Sequence, residues 1–432
     1  MEAGSVVVGP RTYEWRHTGW RGREWASSVL YELHVGTFTP EGTFAAARAK
    51  LPYLAALGVT TLEIMPIAAF PGARNWGYDG ALWFAPASCY GTPDDLKALI
   101  DAAHGLGLAV LLDVVYNHFG PHGNYLALCA PRFFTERHKT PWGAAINYDG
   151  QHSANVREFA IQNALYWTRE YCVDGLRLDA VHAIIDDSPK HLVLELAERV
   201  RAASPDRLIN LVLENEDNRT APLRRDGAGR APHFDAQWND DVHHVLHTAV
   251  TGEGSGYYAE YLEDTGKLGR ALTEGFAFQG EHMAFRGSPR GEPSAQLPPT
   301  AFVAFLQNHD QVGNRAFGER IGMLASAERV RAASAVYLLL PQVPLLFMGE
   351  EWDAAQPFLF FADLPGELGA AVSEGRRAEF ARFTEFSDPE QRKRIPDPQA
   401  ESTFESSRLD WQESQQGQHA ECLTRYRELL AV

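Results

Sequence analysis

From residue 29 onward the chain alternates short apolar runs with longer stretches of helical periodicity. Residues 29–38, 59–65, 108–115, 175–179, 208–213, 234–238, 302–306 and 343–348 read as strands, each a brief apolar run bounded by polar or turn residues. Between them, 44–57 reads as a helix weakened by Pro52. Residues 93–106 read as a helix with Thr92 as N-cap and Pro93 at its first position. A third helix spans 153–171, where Ala160, Ala164, Trp167 and Tyr171 share one face. Helices are also expected at 192–202, from Asp241 onward, and at 327–340. Eight strands separated by helical segments predict an α/β fold, a (β/α)8 TIM barrel. An open doubly wound sheet is the alternative, but neither GxGxxG nor GxxxxGK[ST] occurs.

One connection is too long for a barrel loop. Residues 116–152 are rich in Pro, Gly, Asn and aromatics and lack helical periodicity, so they are expected to form a small subdomain inserted after strand 3 at the C-terminal face. The expected organisation is then 1–27 as an N-terminal remnant or linker, 28–115 as the first part of the barrel and 153–352 as the rest. Residues 353–432 are expected to extend the barrel, helical over 376–386 and loop-like over 395–417.

Composition narrows the chemistry. The 432 residues are 45% hydrophobic and 22% charged, within the ordinary range for a globular chain. A net charge of −17 argues against a nucleic-acid partner, which needs a basic face. Cys89, Cys129, Cys172 and Cys422 form no CxxC pair or zinc spacing and read as reduced thiols, in keeping with a cytoplasmic protein. Residues 1–10 lack the features of a leader, and no apolar run is long enough for a membrane span. No cofactor and no metal centre is expected; Asn117 and Asp149 are the candidates for a calcium site. The ten Trp suit a large core or sugar stacking.

In a barrel the active site forms where strands end, so polar residues terminating apolar runs are informative. Asp113, with Asn117 and His118, closes the third run. Arg177 and Asp179 close the fourth, followed by His182. Glu214 closes the fifth, and Asn308, His309 and Asp310 follow the seventh. Singly, each is more simply a cap, a turn residue or an ion pair; together, at one rim, they predict a polar pocket. Glycosidic cleavage needs two carboxyl groups, ~5–5.5 Å apart in retaining enzymes. Asp179 and Glu214 end consecutive strands, and adjacent strands lie ~4.8 Å apart. Arg177 should keep Asp179 ionised, while burial and neighbouring acids should raise Glu214.

DVVYNH (113–118), GLRLDAVHA (175–183), LVLEN (211–215) and FLQNHDQ (305–311) resemble the four signature regions of the α-amylase family of glycoside hydrolases, in the family's order. The resemblance implies Asp179 as nucleophile, Glu214 as general acid/base and Asp310 as the third carboxylate, with Arg177 orienting the nucleophile. It implies His118 and His309 as hydrogen-bonding partners of the sugar in subsite −1, and Tyr78 of NWGYDG as its aromatic platform. YELHVGTFTPEGTF (31–44), TPWGAAINYDG (140–150), ENEDN (214–218) and DAQWNDDVHH (235–244) resemble the malto-oligosyltrehalose trehalohydrolases in particular. Val181 and His182 stand where ordinary α-amylases usually carry Lys-His. The implied reaction is cleavage of the α-1,4 bond next to the terminal trehalose of maltooligosyl trehalose, after a maltooligosyl trehalose synthase has made that substrate. Such relatives carry flanking β-sandwich domains, read as missing here. At the rim after strand 6, Trp238 is expected to stack on the leaving group, and Asp240 or Asp241 to accept its hydroxyls. The alternatives are a glucan branching enzyme of the same family and a catalytically silent glucan-binding protein.

Overall fold

The computed structural model describes residues 7–9, 12–383 and 386–432. Residues 1–6, 10 and 11, the greater part of the stretch read for a leader, lie outside the described residues, as do 384 and 385 near the end of the expected 376–386 helix. Eight parallel strands close into a barrel in sequence order: β1 (Leu30–Leu33), β2 (Thr61–Ile64), β3 (Ala109–Val114), β4 (Gly175–Leu178), β5 (Asn210–Leu213), β6 (Ala236–Trp238), β7 (Phe302–Phe305) and β8 (Val343–Phe347). β1 pairs with β8 through Leu30 and Leu345, which closes the ring.

Side-chain direction alternates along a strand, so every second residue enters the barrel. Leu30, Leu111, Val212, Ala236, Trp238, Val303, Phe305, Val343 and Leu345 pack together in the interior, with Trp25 plugging the lower end and donating its indole N–H to Thr300 O at 2.7 Å. Two residues on from Leu30, Leu111 and Val212 stand Glu32, Asp113 and Glu214. Arg177 is paired in register with Asp113 on one side and Val212 on the other. The strand period therefore carries these charges to the C-terminal end of the same interior column.

Outside the barrel run α1 (Phe44–Leu57), α2 (Pro93–Gly105), α3 (Ser153–Glu170), α4 (Leu192–Ala202), α5 (Asp240–Thr251), α6 (Thr265–Glu274), α7 (Ala327–Leu338), α8 (Gly366–Glu379) and α9 (Gly417–Leu430). α1 tolerates Pro52 because Leu51, Leu54 and Leu57 are buried on its inner face, so packing outweighs the lost backbone bond. α2 begins with a reciprocal capping box between Thr92 and Asp95. Asp240 and Asp241 lie in the first turn of α5, so both stand in helix rather than in the loop before it.

Three stretches depart from expectation. The first strand stops at Leu33, because the His34 side chain bonds Thr37 Oγ1 and Asn75 O and turns Val35–Phe38 into a helical turn. α8 begins ten residues before 376, its periodicity hidden in the sequence by Gly366, Gly369 and Gly375. Within 395–417, Glu401–Ser406 is helical and buries Thr403 and Phe404. In the 116–152 segment, Phe134–Thr140 and Gly143–Ile146 form an antiparallel hairpin. Its tip carries Trp142, whose ring stacks on His118 with centroids 4.3 Å apart. All four cysteines are free thiols, and no helix among the described residues is long and apolar enough to cross a membrane.

Candidate active site

Arg177 is the centre of the upper barrel. Its guanidinium is fully buried and donates from Nη1 to Asp113 Oδ2 and Asp179 Oδ1, and from Nη2 to Glu214 Oε2, each at 2.8 Å. Beneath it lies Trp238, whose ring centroid is 4.2 Å from the guanidinium carbon. A buried cation facing several acids is stable only when it is paired and hydrogen-bonded, as here.

The two acids at the ends of β4 and β5 are held differently. Asp179 receives a donor on each oxygen, Arg177 on Oδ1 and the Asn117 amide on Oδ2 at 2.8 Å. Burial pushes its carboxyl up, but Arg177, Asn117 and His118 outweigh that, so it sits below the ordinary aspartate range. Glu214 uses one oxygen for both of its donors. Oε2 accepts from Arg177 and, at 2.8 Å, from the backbone N–H of Ala180. Burial pushes Glu214 well above the ordinary range; Arg177 opposes this, while Asp179, Asp310 and Asp240 add to it. Ala180 has φ of 39°, a left-handed conformation costly for a residue with a side chain. The turn that follows Asp179 is thus bent so that its N–H meets Glu214.

The other expected residues divide. Tyr78 donates its hydroxyl to Asp113 Oδ2 at 2.7 Å and stacks on His309 with centroids 5.0 Å apart. Asp113 is pushed up to about 6 by burial, against the pull of Arg177. Asp310 is half-buried and bonded by the Asn314 amide at 3.0 Å. His309 is buried, with Nε2 3.7 Å from Asp310 Oδ1. His118 directs both ring nitrogens into the protein, toward Asn117 Oδ1 and the Tyr78 carbonyl, so it braces the wall of the site rather than presenting a nitrogen to it. Asn117 and Asp149 do not share a site: the Asn117 amide serves Asp179, whereas Asp149 Oδ2 accepts from His138 and the Asp187 N–H.

On one side of these acids opens a cleft of ≈ 540 Å³, lined by His182, Glu214, Glu216, Asp240, Arg286 and Asp310 among others. Asp240 accepts from the Gln311 amide at 3.2 Å and is pushed up to about 7, by burial first and then by Asp310 and Asp241, with Arg290 opposing. His182 accepts the Glu216 N–H at 3.2 Å. Two expectations for this rim are corrected. Trp238 is only 2% exposed and is covered by Arg177, so no sugar can stack on it. Asp241 is fully buried: Oδ1 meets Arg290 Nη1 and the Tyr261 hydroxyl, each at 2.6 Å, and Oδ2 accepts from the Asn218 amide and the Ala277 N–H. With both oxygens taken inside the fold, it has none for a ligand.

Sequence reasoning missed Glu32, Arg290, Glu216 and Arg286. Glu32 could have been found, since an acid inside the apolar run LYEL needs a buried partner. Arg290 and Arg286 lie in an irregular segment that carries no periodicity to place them.

The family model for the α amylase catalytic domain matches residues 18–130. The chain is 47% identical to a malto-oligosyltrehalose trehalohydrolase of Deinococcus radiodurans, over 99% of this chain and 69% of the relative. It is 46% identical to the protein of that name from Arthrobacter ramosus, over 98% of this chain and 73% of the relative. A crystal structure from Salmonella typhimurium, described as an alpha amylase, superposes with a TM-score of 0.94 at 52% identity, covering 98% of this chain and 71% of that one. The chain belongs to the malto-oligosyltrehalose trehalohydrolases, within the α-amylase family of glycoside hydrolases.

Proposed function

We propose that the chain hydrolyses the α-1,4 bond next to the terminal trehalose of maltooligosyl trehalose, with retention of anomeric configuration, and releases trehalose. The observation that carries the mechanism is one guanidinium gripping two carboxyl groups whose proton affinities are pushed apart. Such a bridge suits the separation of ~5–5.5 Å of a retaining pair. Asp179, ionised, attacks the anomeric carbon. Glu214 gives its proton to the leaving oxygen from Oε1, since Oε2 is occupied by Arg177 and Ala180. The resulting glycosyl ester on Asp179 is hydrolysed by a water that Glu214, now ionised, deprotonates. Asp310 would bind the distorted sugar, with Tyr78 beneath it, and Asn117 and Arg177 hold the nucleophile.

The leaving trehalose would lie in the cleft beside Glu214. Polar groups matched to hydroxyls discriminate better than an apolar wall, because a missing hydroxyl strands them unpaired. His182, Glu216, Asp240 and Arg286 supply such groups. The reading includes a cytoplasmic enzyme acting after a maltooligosyl trehalose synthase. The test is product analysis on matched chains, one ending in trehalose and one in maltose. Release of trehalose with preference for the first supports the proposal; preference for the maltose-ended chain overturns the specificity and leaves the retaining chemistry standing. Transfer to a sugar hydroxyl instead of water would favour a branching enzyme, and no turnover of either chain would favour the silent reading.

A further inference from the structure

We propose that Glu32, near the end of β1, is a positioning residue that fixes His309 with its Nε2 aimed at the reacting sugar and Asp310. The inference rests on the reading of this cleft as the site of the −1 sugar.

Glu32 uses both oxygens on one neighbour. Oε2 accepts the backbone N–H of His309 at 2.9 Å, and Oε1 meets His309 Nδ1 at 2.5 Å. The two contacts fix the peptide and the ring together, and both residues are about 1% exposed. The ring is clamped from three further sides: Tyr78 stacks on it, the Trp76 edge meets it at 5.6 Å and Trp238 lies at 5.8 Å. No rotation is left that keeps Nδ1 on Glu32 and moves Nε2 elsewhere. Because Oε1 is an acceptor, Nδ1 carries a proton. Nε2 is the one polar atom of the ring left facing the site, 3.7 Å from Asp310 Oδ1.

The charges around the ring decide its state. Burial alone would lower the imidazole. Glu32 from β1 and Asp310 from its own segment raise it and outweigh Arg177 from β4, so His309 sits above the ordinary histidine value. Asp113 and His34 also face it. Glu63 stands beside Glu32 on β2, in register, with both oxygens lacking a partner. Burial, with the charge of Glu32 next, pushes Glu63 well up, which disfavours a second negative charge beside Glu32. The raised value of His309 favours the imidazolium form, whose Nε2–H suits a sugar hydroxyl held between it and Asp310.

The test is a histidine-detected NMR titration of the full chain, with the His309 signal assigned by its disappearance in His309→Gln. Glu32→Gln should lower the His309 midpoint by about one pH unit or more and reduce kcat at least tenfold with KM changed less than threefold. In the His309→Gln background the same substitution should cost no further activity. An unchanged His309 midpoint in Glu32→Gln overturns the proposal, as does a full additive loss in the double variant. Should Glu32→Gln not fold, Glu32→Asp serves: it keeps the charge, so the midpoint should stay raised while kcat falls. A midpoint that drops to the ordinary value in Glu32→Asp also overturns it. The His309 midpoint is read without turnover and is independent of Asp179, so failure of the glycosidase reading would appear in Asp179 variants while the midpoint shift in Glu32→Gln still decides the contact between Glu32 and His309.

Discussion

The floor of the cleft and its rim are built on opposite terms. On the floor, Asp113 and Arg177 stand on β3 and β4 while Asp179 and Glu214 directly follow β4 and β5, and Arg177 meets each acid at 2.8 Å. On the rim, Glu216 is more than half exposed and lies 3.6 Å from His182, and Asp240 has one amide partner from the adjoining segment. The floor spends its donors on the catalytic carboxyl groups; on the rim Glu216 and Asp240 are left with few donors of their own. Charge that must be stabilised during bond cleavage favours preorganised groups that need no rearrangement. A hydroxyl-rich leaving group favours groups still able to exchange water for a ligand.

The comparison breaks first, and most heavily, at the nucleophile. Asp179→Asn should cut turnover about 10⁴-fold or more with the fold intact, since a neutral amide forms no glycosyl ester. Circular dichroism with a product assay checks this, and activity above about a tenth of the parent would remove Asp179 from the role. Next comes Glu214→Gln. It should lose about 10³-fold on the natural substrate but far less on an aryl glycoside, whose leaving group needs no proton. Equal losses on both would count against Glu214 as the acid.

The same contrast explains what could be read in advance. All eight strands were legible, because a strand buried on both faces is a continuous apolar run and the acids that end it stand out. Asp179, Glu214 and Asp310 could be picked out for that reason. The rim was not legible in the same way. Trp238 and Asp241 lie within four residues of Asp240, yet strand period and helix turn send the first under Arg177 and the second into Arg290. Local spacing cannot reveal that Arg290, 49 residues on, claims Asp241. The partners of His118 were equally hidden, being a carbonyl and an amide that carry no signal in the sequence.

A smaller effect sharpens the boundary between rim and core. Arg290→Ala should leave Asp241 buried and uncompensated, at a cost on the order of 3 kcal/mol. Urea unfolding would measure it. Trehalose preference should fall as well, because Arg290 lines the cleft and its charge opposes the rise of Asp240; the stability loss is therefore the readout for Asp241. Unchanged stability would mean that Asp241 does not depend on Arg290 and would return it to the ligand-binding set.

The smallest effect tests whether rim and floor speak to each other. Activity requires Asp179 ionised and Glu214 protonated. The acid limb of the rate profile therefore follows Asp179, lost as pH falls through its lowered value, and the alkaline limb follows Glu214, lost as pH rises through its raised value. Burial is the main cause of the raised Glu214, but Asp240 contributes through its charge. Asp240 is itself pushed up to about 7, so this contribution switches on as pH rises through that region. Asp240→Asn removes it. The alkaline limb should then move to lower pH by roughly half a unit, while the acid limb stays in place. Trehalose-ended chains should also lose part of their advantage over maltose-ended ones, because an amide replaces a hydroxyl acceptor that a carboxylate fills better. A limb that stays put while the preference falls would mean Asp240 touches the leaving sugar without coupling to Glu214. A limb that shifts with the preference intact would make Asp240 an electrostatic neighbour of the acid and leave trehalose recognition to His182, Glu216 and Arg286.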